Sequence, residues 1–226
     1  MYARFFKRAL DFTLSLLALV MLSPILLILT LIGAVNMKGN PFFTQRRPGK
    51  NERIFRLIKF RSMTCERDNF GKLLPDELRL TRYGQFLRTS SLDELPELIN
   101  ILIGDMSIVG PRPQLVRDMV FMTPEQRRRH SVMPGLTGLA QISGRNNISW
   151  EQKFEYDLAY IDAGITFLKD LKIVFLTVGK VFERADTVRE GTASDLDFGD
   201  YLLEKGEVDE QEYAARQVEA VALMEA

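Results

Sequence analysis

From Phe12 to Met37 the chain reads FTLSLLALVMLSPILLILTLIGAVNM, 26 consecutive residues without a charge. A straight helix needs roughly 20 apolar residues to cross about 30 Å of hydrocarbon, so the run is long enough to span. Pro24 interrupts it. Proline lacks the N–H that would bond the Val20 carbonyl and its ring crowds that group, so the helix is expected to kink or break there. The Ser23 hydroxyl can satisfy the freed carbonyl, which makes such a break tolerable at membrane depth. Arg4, Lys7 and Arg8 precede the run, and Lys38, Arg46, Arg47 and Lys50 follow it. Cytoplasmic flanks carry the Lys/Arg excess, so positive charge on both sides suits a helix pair that enters and leaves by one face. Each half, about 12 residues, reaches only roughly 18 Å, too short to span. A kinked spanning helix accommodates the same proline, and the residues alone leave both topologies open. The basic start also resembles a secretory signal. The apolar run exceeds the usual core of about 7–15 residues and no small-x-small cleavage site closes it, so it reads as retained.

Outside this run the 226-residue chain is polar, which is why its mean hydropathy is only −0.06. Its 30 basic and 30 acidic side chains balance, but unevenly along the chain. Residues 186–226 hold 12 Asp/Glu against 3 Lys/Arg, leaving 27 basic and 18 acidic residues in the first 185. A basic body behind an apolar segment suits an anionic surface, either phosphate-rich ligands or lipid headgroups. No P-loop or Gly-x-Gly-x-x-Gly occurs, so nucleotide hydrolysis and dinucleotide chemistry have no support, and no nucleic-acid partner is expected. Single cysteine and histidine residues, Cys65 and His130, exclude a disulfide framework and a Cys/His zinc site, and a reducing, cytoplasmic setting follows.

The remainder reads as α+β, mostly helical. Residues 41–60 have the pattern of a β-hairpin turning through Arg47-Pro48-Gly49-Lys50-Asn51. Helices are expected over 82–89, 92–104 (ended by Gly104-Asp105), parts of 114–130, and from a Ser149/Gln152 capping box to about Ile161. Residues 132–147, with Gly135, Gly138 and Gly144, read as loop and short strand. From Phe167 to about Glu183, apolar residues spaced at 3 and 4 alternate with Lys169, Lys172 and Lys180. Such a helix can lie in a membrane interface or face a core. Residues 209–225 can form one more Ala- and Glu-rich helix. There is no repeat and no second core, so the organisation is one anchored domain with an acidic tail, either solvated or docking a partner.

Ser91-Leu92-Asp93-Glu94 matches a capping box, where adjacent acids ordinarily serve the helix dipole. Its surroundings suggest more. Pro96 confines the helix start, beside free N–H groups where a phosphate also binds. Arg88 lies just before, and Arg112 sits in a Gly110-Pro111-Arg112-Pro113 turn whose prolines stiffen the backbone, as suits a guanidinium that grips phosphate bidentately. Paired carboxylates among cations favour a hard divalent ion, Mg²⁺, on a polyphosphate substrate.

Five blocks occur in order: Ser91-Leu92-Asp93-Glu94-Leu95-Pro96, Gly104-Asp105-Met106-Ser107, Gly110-Pro111-Arg112-Pro113, Pro134-Gly135-Leu136-Thr137-Gly138 and Ser143-Gly144-Arg145-Asn146. With them the chain resembles, over about residues 1–190, the bacterial sugar transferases, and among these the small monotopic polyprenyl-phosphate phosphoglycosyl transferases of the PglC type. The resemblance implies transfer of a sugar phosphate from a UDP-sugar to undecaprenyl phosphate, with release of UMP, at the cytoplasmic face of a bacterial inner membrane. It implies Asp93 as nucleophile forming a phosphosugar-aspartate, Glu94 as a Mg²⁺ ligand with it, and Lys59, Arg88, Arg112, Arg145 and Asp157 as substrate contacts. It also implies that the Ser23-Pro24 break makes residues 1–37 re-entrant, anchoring a catalytic domain over 38–190 through interfacial helices, with 191–226 outside the resemblance. Two residues depart from the pattern: Glu97 stands where Gln is common, adding a third negative charge near the dyad, and Gln114 where Leu is usual. Two other classes compete. Asp195-Leu196-Asp197 is a D-x-D triplet that a metal-dependent glycosyltransferase releasing UDP would use, and a non-enzymatic membrane scaffold would use only the basic face and the tail. No residue identifies the sugar.

Overall fold

The computed structural model describes residues 2–144, 148–182 and 196–225. The apolar run forms one helix, α1 (Lys7–Asn36), whose 30 residues extend about 45 Å. Its helical hydrogen bonding continues past Pro24, so the expected break at Ser23-Pro24 is not a break in secondary structure. The Val20 carbonyl, which has no N–H to meet at Pro24, accepts the Ser23 hydroxyl at 2.8 Å.

α1 lies lengthwise on the rest of the molecule. Residues 8, 11, 15, 18, 22, 26, 29 and 33 recur at the 3/4 spacing of one helix face. Arg8 donates to the Ile101 carbonyl at 2.5 Å and to that of Leu102 at 2.7 Å, and the Asp11 carboxylate accepts the Ile108 N–H at 3.0 Å. Ala18, Leu19 and Leu22 pack on Phe55, Leu57, Leu98, Ile101 and Met106, while Leu26 and Leu29 pack on Phe60 and Leu87. At the far end the Tyr83 hydroxyl donates to the Leu29 carbonyl at 2.7 Å, and a Cβ on Gly33 would press on Pro41 at 3.0 Å. The opposite face leaves Leu17, Val20, Met21, Leu27, Leu31 and Val35 exposed.

The hairpin forms as expected: β1 (Phe42–Pro48) pairs antiparallel with β2 (Ile54–Phe60), Phe42 opposite Phe60 and Pro48 opposite Ile54. Helix α2 (Asp76–Arg79) interrupts the loop that follows, and α3 (Arg82–Thr89) starts at Thr81, whose hydroxyl accepts the Gly84 N–H at 2.9 Å. α4 (Glu97–Ile103) ends at Gly104, whose φ of +101° favours glycine. Two short strands, β3 (Ser107–Val109) and β4 (Gly135–Thr137), pair in parallel; β4 lies in the segment expected to hold a short strand, while β3 and the pairing are not announced by the sequence pattern. A Cβ on Gly135 would sit 2.1 Å from the Gly110 backbone nitrogen, so glycine lets the two segments meet backbone to backbone. Between them run α5 (Val116–Met119) and α6 (Pro124–Arg127), and after them α7 (Leu139–Ser143). α8 (Trp150–Asp162) begins at a formed capping box: the Ser149 N–H reaches Gln152 Oε1 at 3.0 Å and the Gln152 N–H reaches Ser149 Oγ at 3.3 Å.

α9 (Phe167–Phe182) buries Asp170 and Ile173 but exposes Leu168, Phe175 and Val178, so much of its apolar surface faces outward. Asp170 joins it to the start of α1: Lys7 Nζ lies 2.5 Å from Asp170 Oδ2, and the Tyr2 and Tyr160 hydroxyls donate to the same carboxylate at 2.9 and 2.8 Å. The acidic C-terminal segment is not a solvated tail. α10 (Phe198–Glu204) and α11 (Glu210–Glu225) pack back on the body, Phe198 and Leu202 against Met122, Trp150 and Phe154, and Ala220 against Val116, Met119 and Val120. Its acids find cations as well, Asp197 and Asp200 both pairing with Arg117.

One buried side chain joins α4 to β2. Asn100 is fully buried; its Oδ1 accepts the Ile58 N–H at 3.0 Å and its Nδ2 donates to the Arg56 carbonyl at 2.7 Å. Asn100→Leu leaves both backbone groups without a partner, so the chain in detergent should lose about 2–4 kcal/mol of stability. Thermal unfolding followed by circular dichroism measures this, and a melting curve like the parent's would contradict it.

Candidate active site

Ser91 takes a left-handed conformation, φ +56°, and its side chain makes no cap bond. The expected capping box is therefore absent: Leu92–Glu94 is a 3-10 turn, Pro96 precedes α4, and the helix begins at Glu97. Asp93 and Glu94 thus lie on a tight turn ahead of the helix. Lys59, from β2, brings Nζ to 2.9 Å from Glu94 Oε1 and 3.1 Å from Glu97 Oε1, and Arg112 Nη2 donates to the same Glu94 oxygen. Burial disfavours the charged form of Glu94, but Arg112 and Lys59 outweigh it and hold the carboxyl well below the usual range. Glu94 in turn raises Arg112 above its ordinary value. Glu97 is 2 % exposed, and its carboxyl is raised, chiefly by burial. Burial and the neighbouring Glu94 push Asp93 up to about 6, against the lowering effect of Lys59, Arg112 and Arg88. Arg88 Nε donates to Ser62 Oγ at 3.0 Å.

The turn that presents Arg112 is held from several sides. The Gly110 N–H donates to the Thr137 carbonyl and the Gly135 N–H to the Pro111 carbonyl, both at 2.9 Å. Arg129 Nη2 donates to the Arg112 carbonyl at 2.7 Å, and Arg47 Nη1 to the Pro113 carbonyl at 3.1 Å. Arg129 is balanced by Asp157 at 2.6 Å, the two side chains being 1 % and 2 % exposed. Arg47, Leu57, Lys59, Glu97, Arg112 and Pro113 line one small cleft. Burial, and then Arg112, lower Arg47 to about 10, so it remains a cation.

Of the residues singled out in the sequence, Lys59, Glu94 and Arg112 are in direct contact, and Asp93 and Arg88 are within electrostatic reach of them. Asp157 sits behind this group, its Oδ2 engaged by Arg129. Arg145 and Asp195 lie outside the described residues. Among the described residues no three His, Cys, Asp or Glu side chains gather as a metal cage. The residues that would hold Mg²⁺ are the adjacent carboxylates of Asp93 and Glu94 on one turn, matching the one or two carboxylates that this ion commonly takes. Glu94 Oε1 takes both Lys59 and Arg112.

Residues 2–184 match the family described as bacterial sugar transferase. The chain belongs to that family. It is an enzyme of the sugar transferase type, as its five sequence blocks suggest. It is 54% identical over 177 residues to the uncharacterized sugar transferase EpsL of Bacillus subtilis, a match covering 77% of this chain and 86% of that protein. It is 42% identical over 188 residues to a UDP-glucose:undecaprenyl-phosphate glucose-1-phosphate transferase of Klebsiella pneumoniae, covering 78% of this chain and 40% of the relative. It is 38% identical over 187 residues to the galactosyl transferase CpsE of Streptococcus agalactiae, covering 76% and 41%. The chain thus spans well under half the length of the two relatives whose names state a sugar.

Around this site lie residues that the sequence alone does not single out. Arg47 reads there only as a flanking charge, and Arg129 and Asn100 only as positions within segments expected to be helical. A polar side chain on the apolar face of a short helix, as at Asn100, is a usable signal, whereas Arg129 is identifiable only once Asp157 is beside it. Removing the Asp157 carboxylate strands a buried guanidinium, so Asp157→Ala should cost about 3–5 kcal/mol of stability. A substrate contact at the surface of the site would instead leave the melting temperature unchanged and lower turnover alone.

Proposed function

We propose that the chain transfers a sugar 1-phosphate from a UDP-sugar to undecaprenyl phosphate and releases UMP, as the membrane-bound first step of glycoconjugate assembly. The observation that carries this reading is the Lys59-Glu94-Arg112 cluster with Asp93 on the same turn. Cations already positioned around a nucleophilic carboxylate are what a diphosphate ester requires. The names of the Klebsiella and Streptococcus relatives support the substrate class. An Asp93 oxygen attacks the β-phosphorus, the bond to the bridging oxygen breaks, and UMP leaves with that oxygen. An oxygen of the lipid phosphate then attacks the same phosphorus and displaces Asp93, yielding a diphosphate-linked lipid sugar. Arg112 and Lys59 stabilise the charge that develops on the phosphoryl oxygens, with Arg88 adding to the field. Asp93 and Glu94 would hold Mg²⁺, which would supply further neutralisation of the diphosphate.

The same reading places the enzyme on the cytoplasmic face of a bacterial inner membrane, with α1 re-entrant and the exposed apolar sides of α1 and α9 in lipid. Attachment at both ends of α1 supports it. Lys7 is bound to Asp170 near one end, and Leu29 and Gly33 rest on Tyr83 near the other. A straight spanning helix would have to release one of these ends from the polar body. With Cys65→Ser removing the native thiol, Ala3→Cys should resist an impermeant maleimide in intact cells and react after permeabilisation. Labelling of intact cells from the periplasmic side would overturn the re-entrant topology.

Mass analysis of the lipid product from a panel of UDP-sugars, with a UMP assay, tests the reaction. UMP and a sugar diphospholipid are expected, whereas release of UDP would indicate single sugar transfer instead. Arg112→Lys keeps the charge but loses the planar fork, so turnover should drop about tenfold or more. Because the reactive form of Asp93 is the carboxylate, UMP release should be level above about pH 7 and fall as pH drops through about 6. Mg²⁺ on the same carboxylates would move that limb lower, so a limb well above pH 7 would exclude Asp93 as its source.

A further inference from the structure

The acidic segment 196–225 lies beyond the span matched by the family, yet two routes lead from it to the Arg112 turn, and both start at Phe198. In the first, the Phe198 N–H donates to Asp118 Oδ1 at 2.9 Å, while Oδ2 of the same buried carboxylate accepts the Leu115 N–H at 3.3 Å, two residues after Pro113. In the second, the Phe198 ring stands edge-on to Phe154 at 5.1 Å between centroids. The Arg129 guanidinium lies over that Phe154 ring at 5.6 Å and donates to the Arg112 carbonyl. Around these routes Arg117 pairs with Asp197 and Asp200, Phe121 stacks on Tyr213 at 5.6 Å, and Ala220 fills the gap between Val116, Met119 and Val120.

We infer that the C-terminal segment is a brace for the substrate site, with Phe198 a positioning residue that fixes the Arg112 guanidinium through Asp118 and Leu115 on one side and through Phe154 and Arg129 on the other. The inference rests on the reading of Arg112 as a phosphate contact. It gives the acidic charge a local role, in which the acids nearest the body neutralise Arg117 and orient α10, and no outside partner is needed to hold the segment in place. Because a small displacement of a group that grips the reacting phosphate has a large kinetic effect, loosening the brace reaches the chemistry without altering any residue that touches substrate.

The chain carries its own reporter. Trp150 is the one tryptophan, its ring lies 5.2 Å from Phe198 between centroids, and its Nε1 donates to the Leu196 carbonyl at 3.2 Å. The experiment uses the full chain in detergent with the UDP-sugar that turns over fastest in the panel above. Two variants lift the segment differently: Phe198→Ser removes the ring, and Gly199→Val leaves it but drives a Cβ into Phe121, 2.6 Å from where it would sit. Both should shift Trp150 emission to longer wavelength and lower kcat/KM about tenfold, with Phe198→Leu restoring both. In an Arg112→Lys background the same changes should cost less than about twofold more, because the group they act through is already impaired. Unchanged kcat/KM with shifted emission, an equal loss in both backgrounds, or unshifted emission in Phe198→Ser would each overturn the brace. Full activity of Arg112→Lys itself is a separate result, which would remove the phosphate reading and the brace together.

Discussion

Asp93, Glu94 and Glu97 put three carboxylates within five residues, and the site exists because Lys59 and Arg112 hold them together against their repulsion. Neither cation is local. Lys59 arrives on a strand some 35 residues earlier in the chain and Arg112 on a turn 18 residues later than Glu94. Much of the surrounding architecture serves those two arrivals. Asn100 ties the helix behind the carboxylates to the strand that carries Lys59, and the parallel β3–β4 pair ties the Arg112 turn to a second glycine-rich segment. Charge determines the protonation states in turn. Glu94 takes the cations and its carboxyl is held low, while burial and Glu94 itself leave Asp93 raised to about 6, more basic than a free aspartate.

The apolar helix meets this body along its whole length. Its inner face supplies Leu22 to the cluster behind α4 and Leu29 to the cluster behind β2, so it is part of the core. Under the proposed membrane-bound reading, lipid contact and site geometry share this packing, because α1 rests on α4 and β2, which carry Glu97 and Lys59. The buried Lys7-Asp170 pair extends the link to α9, whose exposed Leu168 and Phe175 share the apolar character of the α1 outer face.

Local chemistry was legible in the sequence and long-range packing was not. The hairpin, α3, the Ser149 cap of α8 and the Gly104 stop each depend on a few adjacent residues and form as their patterns indicate. The Asp93-Glu94 pair and Arg112 were visible because glycine, proline and charge cluster around them. Ser91-Glu94 misled: its capping pattern is present, but Ser91 adopts a left-handed conformation and the helix starts at Glu97. At Pro24 the Ser23 contact to Val20 forms as expected, yet the helix continues, because one missing hydrogen bond is replaced and the body supports both sides. Composition left the acidic tail over 191–226 either solvated or docking a partner, whereas its described part packs on the body. Phe198 and Leu202 share a face of one short helix and Ala220 lies on the next helix, and two or three apolar positions among so many acids do not mark a core face until Trp150, Phe154 and Val116 are beside them.

The two-step mechanism stands or falls on a covalent bond to Asp93, and the acceptor-free reaction tests it most directly. Enzyme mixed with UDP-sugar and Mg²⁺ but no lipid phosphate should release about one UMP per active site in a rapid burst. Mass spectrometry of the quenched protein should find a sugar phosphate on the peptide containing Asp93, and Asp93→Asn should show neither burst nor adduct. Full activity in Asp93→Asn would return the residue to a structural role in its turn. No burst in the parent chain, together with turnover that requires both substrates at once, would contradict the covalent step outright.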